Sequence, residues 1–142
     1  MAYSIDTRTL RPGDIYIPVR GRRFDGHDFI DEARRKGASQ ILDVDLAEYA
    51  AARRQKYHIP LLAITGSSGK TTTKDMLAAV LRQKYRLSQS AENQNNEIGV
   101  PLTLLKIEEQ TELAIVEMAM RGKGQIAALA KIARPTHAII TN

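Results

Sequence analysis

The run Leu61-Leu62-Ala63-Ile64 passes directly into Thr65-Gly66-Ser67-Ser68-Gly69-Lys70-Thr71-Thr72-Thr73. Few local patterns restrict a fold so tightly. Four consecutive apolar residues fit a strand buried on both faces. The glycines permit a sharp turn, and a helical pattern begins near Lys70. Strand, turn and helix in that order point backbone N–H groups at one place, where the helix N-terminus adds partial positive charge. The product is a phosphate cradle. Lys70 is placed to reach the outer phosphates, and the Thr71 hydroxyl suits the magnesium that accompanies them. Thr65, Gly66, Ser67, Ser68, Gly69, Lys70, Thr71 and Thr72 are therefore the candidate nucleotide contacts. The general spacing G-x-x-x-x-G-K would put a glycine at position 64, where Ile64 stands, so the loop is a shortened variant.

The rest of the second half continues the alternation. A helix runs from the loop to about Lys84, and a short strand covers Tyr85 to Leu87. Ser88 to Glu97 is polar and reads as a loop. Ile98 to Ile107 is helical with Pro101 near its first turn, and Leu113-Ala114-Ile115-Val116 is a continuous apolar strand. Gly124 to Ala133 is a helix, and Thr136 to Thr141 a last strand with Ala138-Ile139-Ile140 at its centre. Apolar strands separated by helices predict a mostly parallel sheet with helices on both faces and right-handed crossovers. The first half reads as a smaller α/β unit. Asp14 to Val19 is a short strand whose Pro18 favours a sheet edge. Residues 27–36 are helical with Gly37 after them, Ile41 to Val44 suggest a strand, and Leu46 to Lys56 an alanine-rich helix. His58-Ile59-Pro60 punctuates the join, so residues 1–58 and 59–142 are the expected domains.

Composition bounds the rest. The chain has 142 residues, 43% hydrophobic and 26% charged, which is globular. No apolar run approaches the roughly 18 residues of a membrane span, and no secretory leader is visible at Met1 to Asp6. Cysteine is absent, which excludes disulfides, thiolate metal sites and a cysteine nucleophile. These features suit a cytoplasmic protein. The net charge of +5 gathers at Arg20 to Arg23, Arg34 to Lys36 and Arg53 to Lys56. The last two clusters fall late in predicted helices and read as solvated faces complementing the dipole. Attraction of an anionic ligand is the other reading. Aromatics are only 5% and do not interleave with the basic residues, which argues against nucleic acid.

Other residues lie where chemistry would need them. Glu117 ends an apolar strand beside the phosphate-loop strand. A carboxylate there suits a second contact to Mg²⁺, which prefers oxygen ligands; a solvated strand end is the alternative. Asn93, Asn95 and Asn96 precede Glu97-Ile98-Gly99, either as turn and cap residues or as amide donors near phosphate. Arg121 is either a surface arginine on a turn or an anion contact. In the first half, Asp6-Thr7-Arg8 and Asp25-Gly26-His27-Asp28-Phe29 stand out, with Asp25 and Asp28 as cap candidates.

Four segments together resemble the Mur ligases. They are Ile64 to Lys74, Asn93 to Leu104, Glu117 to Ile126, and Ala133-Arg134-Pro135 through Ile140-Thr141-Asn142. The likeness is greatest to the branch that handles D-alanyl-D-alanine. It implies ATP-dependent amide ligation in peptidoglycan precursor synthesis, joining D-alanyl-D-alanine to UDP-MurNAc-tripeptide. A substrate carboxylate would attack the γ-phosphate, and the dipeptide amine would displace phosphate from the acyl-phosphate. It implies ATP and Mg²⁺, with Lys70 on the β/γ-phosphates, Thr71 and Glu117 on the metal, and Asn95 and Asn96 near the reacting phosphate. Asp6, Thr7, Arg8, Asp25, Gly26 and His27 resemble the segments holding the UDP end, and Arg121 is a further substrate candidate. Ala119 and Gln125 stand where the family often has Gly and Glu. The first domain looks shortened between Gln40 and Pro60, the ATPase domain looks truncated at Asn142, and the family's third domain is not expected here. Turnover by this chain alone is accordingly not expected. A nucleotide-binding remnant and another phosphate-loop enzyme, such as a kinase or a polyglutamate-type ligase, are the rivals. Asn95 to Pro101 argues against the latter. The sequence is silent on oligomeric state.

Overall fold

The computed structural model describes residues 2–21 and 24–142. Arg22 and Arg23, half of the first basic cluster, lie outside the described residues. The chain divides into two compact units, Met1–Tyr49 and Ala50–Asn142. The division falls within a helix, ahead of the join that the sequence suggests near residue 58.

The first unit is a three-stranded parallel sheet. Its strands β1 (Tyr3–Ser4), β2 (Ile15–Tyr16) and β3 (Gln40–Ile41) lie in the order β1-β2-β3. A 3-10 turn, Gly26–Phe29, leads into α1 (Ile30–Arg35). Leu10, Tyr16 and Ala33 form the core, with Ile30, Ala38 and Ile41 against it. The Tyr16 hydroxyl donates to the Gly26 carbonyl at 2.9 Å, which seats the 25–29 segment, and burial pushes its phenol up. The edge position expected from Pro18 is not what forms: β2 is the middle strand. It ends at Tyr16, so Pro18 never enters the ladder and its missing N–H costs nothing. The second helix, α2 (Leu46–Gln55), spans the division between the units.

The second unit is a four-stranded parallel sheet. Its strands are β4 (Leu61–Gly66), β5 (Leu87–Gln89), β6 (Leu113–Glu117) and β7 (His137–Thr141), in the order β5-β6-β4-β7. The expected mostly parallel sheet with helices on both faces is what forms. α3 (Lys70–Leu81) packs on β4, β5 and β6, and α4 (Gly99–Leu105) and α5 (Gln125–Ala133) touch each other. Every residue of β6 is buried, as its unbroken apolar run requires. Ile64, Ala78, Leu113 and Ile115 make the core beneath α3. Among the described residues β7 has β4 as its one neighbour, and Ile140 is exposed despite the apolar run.

Two of the basic clusters are more than solvated faces. Lys36 pairs with Glu32 and donates to the Thr7 carbonyl, both at 2.9 Å. Arg54 is buried. Its guanidinium donates to three carbonyl oxygens, those of Ala133, Tyr57 and Ile59, closing the C-terminal end of α5 against the segment that enters β4. A side chain with five donors can satisfy carbonyls converging from several directions, which a lysine cannot.

Candidate functional site

Strand order places the site. β6 and β7 flank β4, so the carboxyl ends of all three strands meet around the loop that follows β4. That loop is residues 67–69, entered from Gly66 at the end of β4, and α3 starts at Lys70. Gly66 has φ +134°, a conformation for glycine, and a Cβ there would collide with the Thr141 hydroxyl and carbonyl. The N–H groups of Ser67 and Ser68 both donate to the carbonyl oxygen of Asn142, at 2.9 and 2.6 Å. Two adjacent loop amides thus converge on one oxygen, the arrangement a phosphate oxygen needs. Lys70 Nζ lies over the same loop, 2.9 Å from the Gly66 carbonyl and 3.1 Å from that of Ser67. Thr65 takes the Thr141 hydroxyl on its carbonyl, and Thr72 is exposed on the first turn of α3.

Three of the sequence-selected residues meet at one carboxylate. The Thr71 hydroxyl donates to Glu117 Oε2 and the Asn95 amide to Oε1, both at 2.9 Å. Glu117 is buried, and its carboxylate partners among the described residues are neutral. A buried carboxylate without a cationic partner is costly unless a cation joins it. The Thr71 hydroxyl and the carboxylate itself offer oxygen ligands, which suits a hard divalent ion. Among the described residues no three His, Asp or Glu side chains gather. That composition fits Mg²⁺, which keeps several waters and takes few protein ligands.

The neighbouring asparagines divide. Asn95 also accepts the Ala119 N–H on its main-chain carbonyl at 2.8 Å, tying the 90s loop to the end of β6. Asn96 serves the helix instead. Its Oδ1 accepts the N–H groups of Ile98 and Gly99 at 3.1 and 2.9 Å, the capping use that asparagine favours. The Arg121 side chain is exposed, and its turn is closed by Gln125, whose Oε1 accepts the N–H groups of Arg121 and Gly122. Gln125 thus has a structural reason to stand where it does.

Two residues with large roles do not emerge from the motifs. Ser90, inside the segment read as a plain loop, is fully buried. It accepts the Glu117 N–H on its hydroxyl at 3.1 Å and lies 3.3 Å from the Thr103 hydroxyl. Lys74 is buried and donates to the Ser90 carbonyl at 3.2 Å. A signal for Lys74 exists: Lys74, Leu77, Ala78 and Leu81 sit at i, i+3, i+4 and i+7, which puts a lysine on the apolar stripe of α3. Nothing local marks Ser90.

In the first unit, Asp6 holds Arg8 through both carboxylate oxygens, and that bonding keeps its carboxyl below the usual range. Thr7 between them is buried and its carbonyl takes Lys36, so it serves the fold. Asp25 caps the 25–29 turn through the His27 N–H at 3.0 Å. Gly26 packs against main chain, with a Cβ falling 2.6 Å from Val19 N. The His27 ring lies between two carboxylates, Nε2 at 3.0 Å from Asp43 and Nδ1 at 2.5 Å from Asp25. Hydrogen bonding to Asp43, then to Asp25, raises its pKa above the ordinary 6.5. A raised histidine stabilises the fold fully below its unfolded value and stops doing so as pH rises through the folded one. The unmodified chain is therefore expected to lose stability as pH rises above the ordinary histidine value of 6.5 and through the raised one. His27→Gln should flatten that slope, as read by thermal melts followed by circular dichroism.

Comparison with known proteins agrees with this geometry. The family described as "Mur ligase middle domain" matches residues 64–142, and "Mur ligase family, catalytic domain" matches residues 2–85. The UDP-N-acetylmuramoyl-tripeptide–D-alanyl-D-alanine ligase of a Synechocystis strain is 48% identical over 157 aligned positions, covering 96% of this chain and 35% of the relative. The enzyme of the same name from Bacillus subtilis is 41% identical, with 96% and 34% covered. Alignments longer than the 142-residue chain mean that these relatives carry residues it lacks. Among solved structures, MurF from Acinetobacter baumannii superposes with a TM-score of 0.87 at 30% identity, over 98% of this chain and 35% of that one. MurF ligase from Thermotoga maritima in complex with ADP gives 0.77 at 37% identity, over 94% and 35%. The chain spans about a third of the length of these relatives. With the two family matches together covering nearly every residue, the chain belongs to the Mur ligase family.

Proposed function

We propose that this chain is the nucleotide- and metal-binding part of an ATP-dependent ligase that joins D-alanyl-D-alanine to UDP-MurNAc-tripeptide. The observation that carries the reading is the meeting of Thr71, Asn95 and Glu117 beside two converging loop amides. The names of the relatives support the substrates, and the ADP complex of one of them supports the nucleotide. In the reaction, a substrate carboxylate takes the γ-phosphoryl group with loss of ADP. The dipeptide amine then attacks the acyl carbon, and phosphate leaves.

The protein's work in such a reaction is positioning and charge neutralisation. Loop N–H groups of Ser67 and Ser68, on giving up the Asn142 carbonyl, bind phosphate oxygens, and Lys70 supplies a charge-assisted donor. Mg²⁺ bound at Thr71 and Glu117 would neutralise phosphate charge and orient the reacting group. Asn95 holds the Glu117 carboxylate in place, and Asn96 fixes the start of α4 beside it. Arg121 is an exposed anion contact. In the first unit, Asp6, Thr7, Arg8, Asp25, Gly26 and His27 form the UDP-substrate segments, and residues 1–58 and 59–142 act as the two domains.

The test is calorimetric titration of the chain with ATP, with and without Mg²⁺. ATP should bind more tightly with the ion. Glu117→Gln should abolish that increment and leave Mg²⁺-free binding within about twofold, because a neutral amide keeps the shape but loses the charge. Equal binding with and without Mg²⁺ in the unmodified chain would sink the metal assignment. The share of the relatives spanned favours one further reading, nucleotide binding without ligation. Phosphate release that depends on D-alanyl-D-alanine would overturn that reading.

A further inference from the structure

We propose that Lys74 is a positioning residue for the metal-binding carboxylate, acting through Ser90. The inference rests on the metal role proposed for Glu117. Three elements close a polar ring. From α3, Thr71 donates to the Glu117 side chain at 2.9 Å. The Glu117 main-chain N–H donates to Ser90 Oγ at 3.1 Å. The Ser90 carbonyl takes Lys74 Nζ at 3.2 Å, back on α3 one turn past Thr71. Glu117 is thus held at both ends by one helix, its side chain directly and its main chain through Ser90.

The ring is buried. Ser90 is 0% exposed, Lys74 3% and Glu117 5%. A lysine on an apolar stripe normally reaches out to water. This one turns inward to a main-chain carbonyl, and its other partner is the exposed carboxylate of Asp75 at 3.4 Å. Ser90 has two further anchors: its N–H donates to the Ile115 carbonyl at 3.0 Å, and Thr103 lies against its hydroxyl. It is a rigid relay between lysine and carboxylate. Mg²⁺ demands near-ideal geometry at short distance, so small displacements of Glu117 relative to Thr71 are penalised at the metal. Groups that orient metal ligands typically change metal affinity 10- to 100-fold when removed.

The experiment uses the full chain with Lys74→Met, Ser90→Ala and the double variant. Amide hydrogen exchange at Glu117 is compared with Ala114 on the same strand. The Mg²⁺ concentration for half-maximal ATP binding is measured alongside. Each single variant should speed exchange at Glu117 relative to Ala114 and raise the Mg²⁺ midpoint about tenfold. Mg²⁺-free ATP affinity should stay unchanged, and the double variant should add little, since both break one ring. Ser90→Ala removes a single atom and keeps the test open if Lys74→Met does not fold. Unchanged Glu117 exchange, an unchanged midpoint, or equal losses with and without Mg²⁺ would overturn the assignment. If the unmodified chain binds no ATP in a Mg²⁺-dependent way, the nucleotide reading and the metal role of Lys74 fall together. A binding parent with an indifferent Lys74→Met overturns the Lys74 role alone.

Discussion

Lys70→Ala is expected to weaken ATP·Mg²⁺ binding by roughly 10- to 150-fold while leaving the fold intact. Lys70 is the first residue of α3, its ammonium resting on the Gly66 and Ser67 carbonyls at the mouth of the loop. Those contacts are local, within four residues, and hold no other element in place. Alanine is the best helix former, so the helix start is not penalised. What is lost is a charged donor to phosphate, worth about 1.5–3 kcal/mol, which is the stated range in affinity. Calorimetric titration gives the loss, and a thermal melt shows that the fold survives. Unchanged affinity would remove the loop from the proposed site.

Gly99→Ala should damage stability and site together. Gly99 is buried at the start of α4, and an added Cβ would fall inside 3.0 Å of Gln94 main-chain and side-chain atoms. Main chain cannot rotate out of the way as a side chain would, so the 94–96 segment must move. Overpacking of this kind costs about 2 kcal/mol, which lowers the melting temperature by roughly 8–16 °C in a unit of this size. The displaced segment carries Asn95, whose amide holds Glu117 and whose carbonyl holds Ala119. The Mg²⁺ increment in ATP binding should therefore shrink beyond what the stability loss explains. Gly122→Ala is the control, since a Cβ there meets nothing within 4 Å. A Gly99→Ala melt matching that of Gly122→Ala would show that the contact relaxes freely.

The parts of the site that could be read from the sequence are those whose chemistry is local. The loop from Thr65 to Thr71 is one strand–turn–helix, and its spacing states its purpose. Glu117 was legible because an acid closing a run of four apolar residues can only stand at a strand tip. Asn95 and Asn96 were indistinguishable as letters. Their roles separate only when the fold brings β6 alongside one and the start of α4 over the other. Ser90 was illegible for the same reason: its partners sit on three elements distant in sequence. Arg54 looked like a member of a solvated basic run, yet the carbonyl ends it caps belong to segments that only the folded sheet assembles. Pro18 misled because the strand it was assigned to stops two residues early. The two-residue strand Tyr3–Ser4 was too short for any periodicity to reveal.

The strand order carries a consequence for how such a chain acquires its structure. β4, which bears the loop, is the earliest strand of its sheet, yet Leu61 pairs with Ala114 and Leu62 with His137. Both partners are synthesised more than fifty residues later. Closing such long loops costs entropy before any ladder bond repays it, which makes assembly slow. Leu61 to Ile64 must therefore wait, unpaired and apolar, behind the moving ribosome. Of all the segments in this chain, the one that defines its chemistry is the one most in need of shelter during synthesis.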